Sequence, residues 1–152
     1  MRTPARRRFI SVLAGIAAIP LLPIRAARAQ NDPFAPLVLQ ITGGAPVSVG
    51  RVTVDTPRLA DNGHSVPLKL SVQSAMTAAD YVRSLTLLSE KNPRPVMAVF
   101  HLGPKAGRAE VATRVRLNGT QRVLAIAQLS DGTYWSGDAE VVVTESACLD
   151  AS

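Results

Sequence analysis

Cys148 is the single cysteine in a chain of 152 residues. Its thiolate is the strongest nucleophile available among ordinary side chains, and it has no second cysteine with which to close an internal disulfide. It stands in Glu145-Ser146-Ala147-Cys148-Leu149-Asp150-Ala151-Ser152, beyond the last segment with strand character. Chain ends move unless they are docked. Measured from Thr144, four residues extend about 13 Å at the usual rise per residue, enough to enter the mouth of another protein's active site. These residues suit a thiol offered to partners, and 145–152 reads as an arm.

Other residue types add little chemistry. A metal site needs three or four convergent ligands. His64, in a turn, and His101, in a strand, have no carboxylate or thiol at ligand spacing. No Gly-x-Ser-x-Gly elbow, phosphate-cradling glycine loop or dinucleotide fingerprint occurs, so no enzyme and no resident cofactor is expected. Asn118-Gly119-Thr120 matches a glycosylation acceptor formally but reads as a turn. Arg114, Arg116 and Arg122 flank that turn as a possible positive strip, although such residues are commonly the solvated face of a sheet.

The elements around these residues read as strands. Arg51–Val54 comes first, followed by Ser65–Val72 with Val66, Leu68, Leu70 and Val72 on one face. Pro67 within that run predicts an edge position or a bulge. Gln73–Asp80 suggests a loop with one helical turn, and Tyr81–Leu88 resumes strand character. Pro93 and Pro95 break the pattern before Val96–Leu102, whose residues Val96, Ala98, Phe100 and Leu102 are in phase. Glu110–Leu117 and Gln121–Leu129 flank Asn118-Gly119, the strongest short hairpin signal. Asp131-Gly132 predicts a second hairpin through Tyr134-Trp135, and Ala139–Thr144 a last strand. About seven short strands with turn residues between them predict an all-β, immunoglobulin-like antiparallel sandwich over 51–144. Residues 30–50 predict a short N-terminal helix and a linker.

Residues 1–29 have a different character. They hold six arginines and no acid, an apolar stretch from Phe9 to Leu22, and Ala27-Arg28-Ala29, which places cleavage before Gln30. The apolar stretch is shorter than the roughly 20 residues that span a bilayer. Arg6-Arg7-Arg8-Phe9-Ile10 fits a twin-arginine export signal, a route that carries folded cargo. Periplasmic localisation without a membrane anchor is therefore expected. Six of the seventeen basic residues but none of the eleven acidic ones lie in this segment, so the remainder balances at eleven of each. That balance leaves a nucleic-acid partner without support.

Several segments in order resemble the sulfur-oxidation carrier family SoxY. They are Thr56-Pro57-Arg58-Leu59-Ala60-Asp61-Asn62-Gly63 leading into Ser65-Val66-Pro67, then Glu90-Lys91-Asn92-Pro93, Ala112-Thr113-Arg114-Val115-Arg116 and Ala127-Gln128-Leu129-Ser130-Asp131-Gly132. The resemblance covers Arg51 to Cys148. It implies a domain that pairs with a SoxZ-like subunit and holds sulfur intermediates covalently on Cys148. It also implies a haem-containing enzyme that conjugates thiosulfate to that cysteine, and hydrolytic and dehydrogenase partners that act on the bound group. The usual arm of this family is Gly-Gly-Cys-Gly-Gly, whereas Ser146-Ala147-Cys148-Leu149-Asp150 is similar to a related branch with an Ala-Ala-Cys-Ile-Glu arm. Its bulk restricts the backbone relative to glycine. Glu145, Asp150 and the terminal carboxylate should disfavour the thiolate. Two rivals stand beside the carrier reading: a binding module whose cysteine is incidental or joins another chain, and an enzyme with Cys148 as nucleophile but no evident base.

Overall fold

A computed structural model describes residues 32–146. The twin-arginine segment, its cleavage point and Cys148 lie outside the described residues. The element order is α1 (Ala35–Thr42), β1 (Val47–Val49), β2 (Val52–Asp55), β3 (Leu59–Asn62), β4 (Val66–Val72), β5 (Val82–Ser89), β6 (Val96–His101), β7 (Glu110–Val115), β8 (Gln121–Leu129) and β9 (Tyr134–Glu145). Two sheets face each other as an open sandwich. The larger runs β1-β9-β8-β5-β6 with β3 also on β9, and the smaller runs β2-β4-β7. The immunoglobulin-like β-sandwich expected from the strand pattern is what forms, with nine strands among the described residues where about seven were expected.

Alternation accounts for the core. Val66, Leu68, Leu70 and Val72 of β4 are buried while Pro67 and Lys69 are exposed. Across the gap, Val123, Ala125 and Ala127 of β8 and Val141 of β9 meet them. Fully burying one valine or leucine side chain of this kind contributes about 1.5–3 kcal/mol. β5 departs from alternation, because Leu85 to Ser89 are buried on both faces. The outer face is covered by α1: Phe34, Leu88 and Ile126 form a second small core there. Arg122 lies over the Phe34 ring, 4.9 Å from its centroid, and pairs with Asp32. The helix ends where Gly43 turns left-handed at φ 64° and returns its N–H to the Leu39 carbonyl at 2.9 Å.

Several expectations are corrected. Strands β7 and β8 do not form a hairpin: β7 pairs with β4 in the smaller sheet and β8 with β5 and β9 in the larger. A two-residue type I′ hairpin needs positive φ at both central residues. Here Gly119 has it (79°) and Asn118 does not. The Asp131-Gly132 hairpin forms as expected between β8 and β9. Strand β4 is the central strand of its sheet, not an edge, despite Pro67. The ladder to β2 starts at Lys69, and the Pro67 carbonyl accepts a 3.0 Å bond from Thr56 Oγ1. In a strand the nitrogen points the same way as its own carbonyl, so the missing donor faces a place where β2 has run out.

Residues 73–80 hold no helical turn. Ser74, Thr77 and Asp80 bond neighbouring backbone groups instead, which competes with helix formation. In β6 a bulge opposite Leu87 and Leu88 shifts the phase, leaving Val96 42 % exposed and turning Met97 toward the core. The last strand begins at Tyr134, not Ala139, and runs through Gly137. A Cβ at Gly137 would sit 2.1 Å from the Val52 carbonyl oxygen, so glycine there marks close approach of the two sheets, not a break. The short strands β1 and β3 were not foreseen, and both run parallel to β9.

Candidate functional site

Cys148 follows the last described residue, Ser146, by two positions, and covalent geometry keeps their Cα atoms within about 7 Å. The root of the arm can therefore be built from residues that are described. Strand β3 runs beside the end of β9, with Asn62 opposite Glu145. Beyond β3 the Gly63 N–H donates to the Glu145 carbonyl at 2.7 Å, and the Gly63 carbonyl accepts the Leu117 N–H at 2.8 Å. One glycine thus links the end of β9 to the exit of β7. Thr144 Oγ1 donates to the Asp61 carbonyl, and Thr120 Oγ1 accepts the Val143 N–H at 3.0 Å.

Ser146 is held by a side chain. Its Oγ and Asn118 Oδ1 are 2.6 Å apart. Asn118 is itself fixed, since its N–H donates to Asn92 Oδ1 at 2.9 Å and its Nδ2 reaches the Lys91 carbonyl at 3.4 Å. Asn92 Nδ2 donates to the Arg116 carbonyl at 2.8 Å. At the centre is Gln121, only 2 % exposed. Its Oε1 accepts from Ser89 Oγ at 2.5 Å and from the Lys91 N–H at 3.0 Å, while its Nε2 donates to Asn92 Oδ1 and the Gly119 carbonyl. Every buried side-chain N or O among the described residues has a partner, as a low-dielectric interior requires. Four chain segments meet in one polar knot at the end of the sandwich from which the arm leaves.

Among the described residues, then, the structure sorts the sequence candidates as follows. His64 lies in the exposed loop after β3, beside the arm's root, and its N–H is taken by Asn62 Oδ1 at 3.2 Å. His101 is exposed at the end of β6, in a different part of the fold. No group of three or more His, Cys, Asp or Glu among the described residues is placed to hold a metal ion. The arginine strip does not form. Arg114 and Arg116 stand on and after β7 in the smaller sheet, with Arg114 Nε donating to Ser65 Oγ at 2.7 Å. Arg122 lies under α1 on the far side of the larger sheet. Asn92, Asn118, Gln121 and Ser146 were not singled out for the site. Asn92-Pro93 and Asn118-Gly119 carry only a turn signal, and Gln121 reads as an ordinary polar strand residue.

The family model for the Sulfur oxidation protein SoxY matches residues 39–148, well over half of the chain. The chain belongs to the SoxY family. No curated protein sequence matches it significantly. Among solved structures, the sulfur carrier protein SoxY from Chlorobium limicola f thiosulfatophilum aligns with TM-score 0.61 and 21 % identity, over 78 % of this chain and 99 % of that one. A superoxide reductase (neelaredoxin) from Ignicoccus hospitalis aligns with TM-score 0.55 and 15 % identity over 78 % of this chain and 92 % of its own. A putative superoxide reductase from Thermotoga maritima aligns at TM-score 0.55 and 15 % identity over 66 % and 95 %. At such identities the structural likenesses show a shared fold, and the family rests on the sequence match.

Proposed function

We propose that this protein is an exported sulfur carrier that holds a sulfur-compound intermediate covalently on Cys148 and presents it to partner enzymes during sulfur oxidation. The single observation that carries the reading is the family match, which extends from residue 39 to Cys148. The knot at Asn118 supports it, because it roots the arm two residues before the thiol and leaves the cysteine close to a defined point of the fold. The twin-arginine pattern favours the periplasm as the place of action. A SoxZ-like subunit is the proposed companion, and haem-containing and hydrolytic enzymes are the proposed visitors.

With a thiosulfate-type cargo, a sulfur–sulfur bond forms between Cys148 Sγ and the terminal sulfur of thiosulfate. The thiol proton goes to solvent and two electrons pass to the haem-containing partner. Hydrolysis of the outer sulfonate then consumes water, releases sulfate and leaves a persulfide on Cys148. The protein is substrate and scaffold throughout, and the chemistry belongs to its visitors.

Intact-mass analysis of the protein taken from its native periplasm during growth on reduced sulfur tests the reading. A mass adduct on Cys148 that disappears on reduction is expected, and Cys148→Ser should abolish both the adduct and sulfur-dependent growth. Unmodified protein, or unimpaired growth of the Cys148→Ser strain, overturns the carrier role and favours a binding module with an incidental cysteine.

A further inference from the structure

The sandwich is open on one side, where β6 ends the larger sheet and β7 ends the smaller. A groove of about 340 Å³ lies between these edges, lined by Asn92, Arg94, Val96, Met97, Ala98 and the run 113–116 of β7 and its exit. Its lining includes three guanidinium groups, Arg94, Arg114 and Arg116, and no carboxylate. The ion pairs among the described residues are Lys69–Glu110 and Arg122–Asp32, so none of the three belongs to one. Arg114 is held in place by Ser65, through Nε to the hydroxyl at 2.7 Å and a terminal nitrogen to the carbonyl at 3.1 Å. The floor supplied by β6 is apolar, made of Val96, Met97 and Ala98, with Val96 42 % exposed. An edge strand presents unpaired backbone donors and acceptors, and proteins ordinarily protect such an edge with charge. Strand β6 carries no Lys, Arg, Asp or Glu.

We infer that this groove is the docking site for an extended acidic segment of a partner protein, added alongside β6 with its carboxylates on Arg94, Arg114 and Arg116. Strand addition supplies backbone hydrogen bonds and lets alternate side chains point to the two sides. One side then meets the apolar floor and the other the guanidinium groups, which bind carboxylates with directed, charge-assisted bonds. The groove also adjoins the arm's root, since Asn92 lines it and bonds both the Arg116 carbonyl and the Asn118 N–H. A partner seated here is held beside the point from which Cys148 is presented. The inference goes beyond the carrier reading and does not depend on it, because the groove makes no use of the thiol.

Fluorescence anisotropy with a labelled peptide of alternating Glu and Val tests the inference, with the Lys–Val counterpart as control. The Glu peptide should bind, and hydrogen exchange should slow at the β6 amides that do not pair with β5. Arg94 and Arg116 are exposed, so Arg94→Gln/Arg116→Gln leaves the fold intact. That variant should weaken binding about tenfold or more, a difference of roughly 1.4 kcal/mol. Arg94→Glu/Arg116→Glu should reverse the preference toward the Lys peptide. The Cys148→Ser chain should bind as the wild type does, which separates failure here from failure of the carrier reading. Equal binding of the two peptides, no binding, or protection away from β6 overturns the inference. Complete displacement by sodium sulfate with no change in β6 exchange would do so as well, marking a site for small oxyanions.

Discussion

Asp131-Gly132 and Asn118-Gly119 are the same local signal, an Asx residue before a glycine between two stretches of alternating apolar residues, and the fold uses them in opposite ways. The first closes a hairpin inside one sheet. Asp131 Oδ1 accepts both the N–H and the hydroxyl of Thr133, at 2.9 and 2.7 Å, and the Leu129 N–H reaches the Thr133 carbonyl at 2.9 Å. Those partners lie within a few residues of one another. The second carries the chain from the smaller sheet to the larger, and the partners of Asn118 come from far along the sequence: Asn92, Lys91 and Ser146. A turn dipeptide specifies a reversal, then, and not what the reversed strand pairs with. The turn that depends on distant partners is also the one that roots the arm.

The largest test of this contrast is Gln121→Leu. It removes the partner of the buried Ser89 hydroxyl and of the part-buried Lys91 N–H and Gly119 carbonyl, where a buried group left unsatisfied costs about 1–3 kcal/mol. A loss of about 3 kcal/mol in urea unfolding is expected, together with faster hydrogen exchange at Lys91 and Asn118 but not at Thr133. Equal acceleration at both turns would show that the knot does not act locally.

Next come Gly119→Ala and Gly132→Ala. Both glycines hold positive φ, at 79° and 85°, with open space where a Cβ would go. Strain alone should cost about 1–2 kcal/mol at each. The knot cannot relax without moving its distant partners, so the Gly119 variant should lose more. Identical losses would remove that distinction.

Asn118→Ala should lower stability by about 1–2 kcal/mol and, more specifically, remove the side-chain bond from Asn118 to Ser146. The rate of Cys148 modification by a disulfide reagent is the discriminating measurement and should change, whereas Asp131→Ala should leave it as it was.

The smallest effect belongs to the hairpin. Bonds from the Thr133 backbone and hydroxyl hold the Asp131 carboxyl below its ordinary value of 3.8, with Arg51 assisting. A carboxyl depressed in the folded state contributes stability above its unfolded pKa and loses it as pH falls through the lower folded value. The stability difference between wild type and Asp131→Asn should therefore be constant from neutral pH to about pH 4 and shrink below it. Asp131 is fully exposed, so the difference should also be small. A difference that grows on acidification would contradict the assignment.

Much of this protein follows from the order of its residues. Period-two alternation in 66–72 and 121–129 fixes which side chains face inward, because successive strand residues point to opposite faces whatever the partner. Pro93 and Pro95 interrupt a strand for equally local reasons. That Cys148 has no second cysteine in the chain is a matter of sequence alone. What tertiary structure decided is everything that depends on which strand lies beside which. Burial of β5 on both faces needed α1, and the continuity of β9 through Gly137 needed the Val52 backbone close against it. Asn92, Asn118, Gln121 and Ser146 became the arm's root only because four distant segments end at the same place. Hydrogen bonds between residues two dozen or more positions apart leave no periodic trace in the chain, and only the packing of the two sheets brings their donors and acceptors within reach.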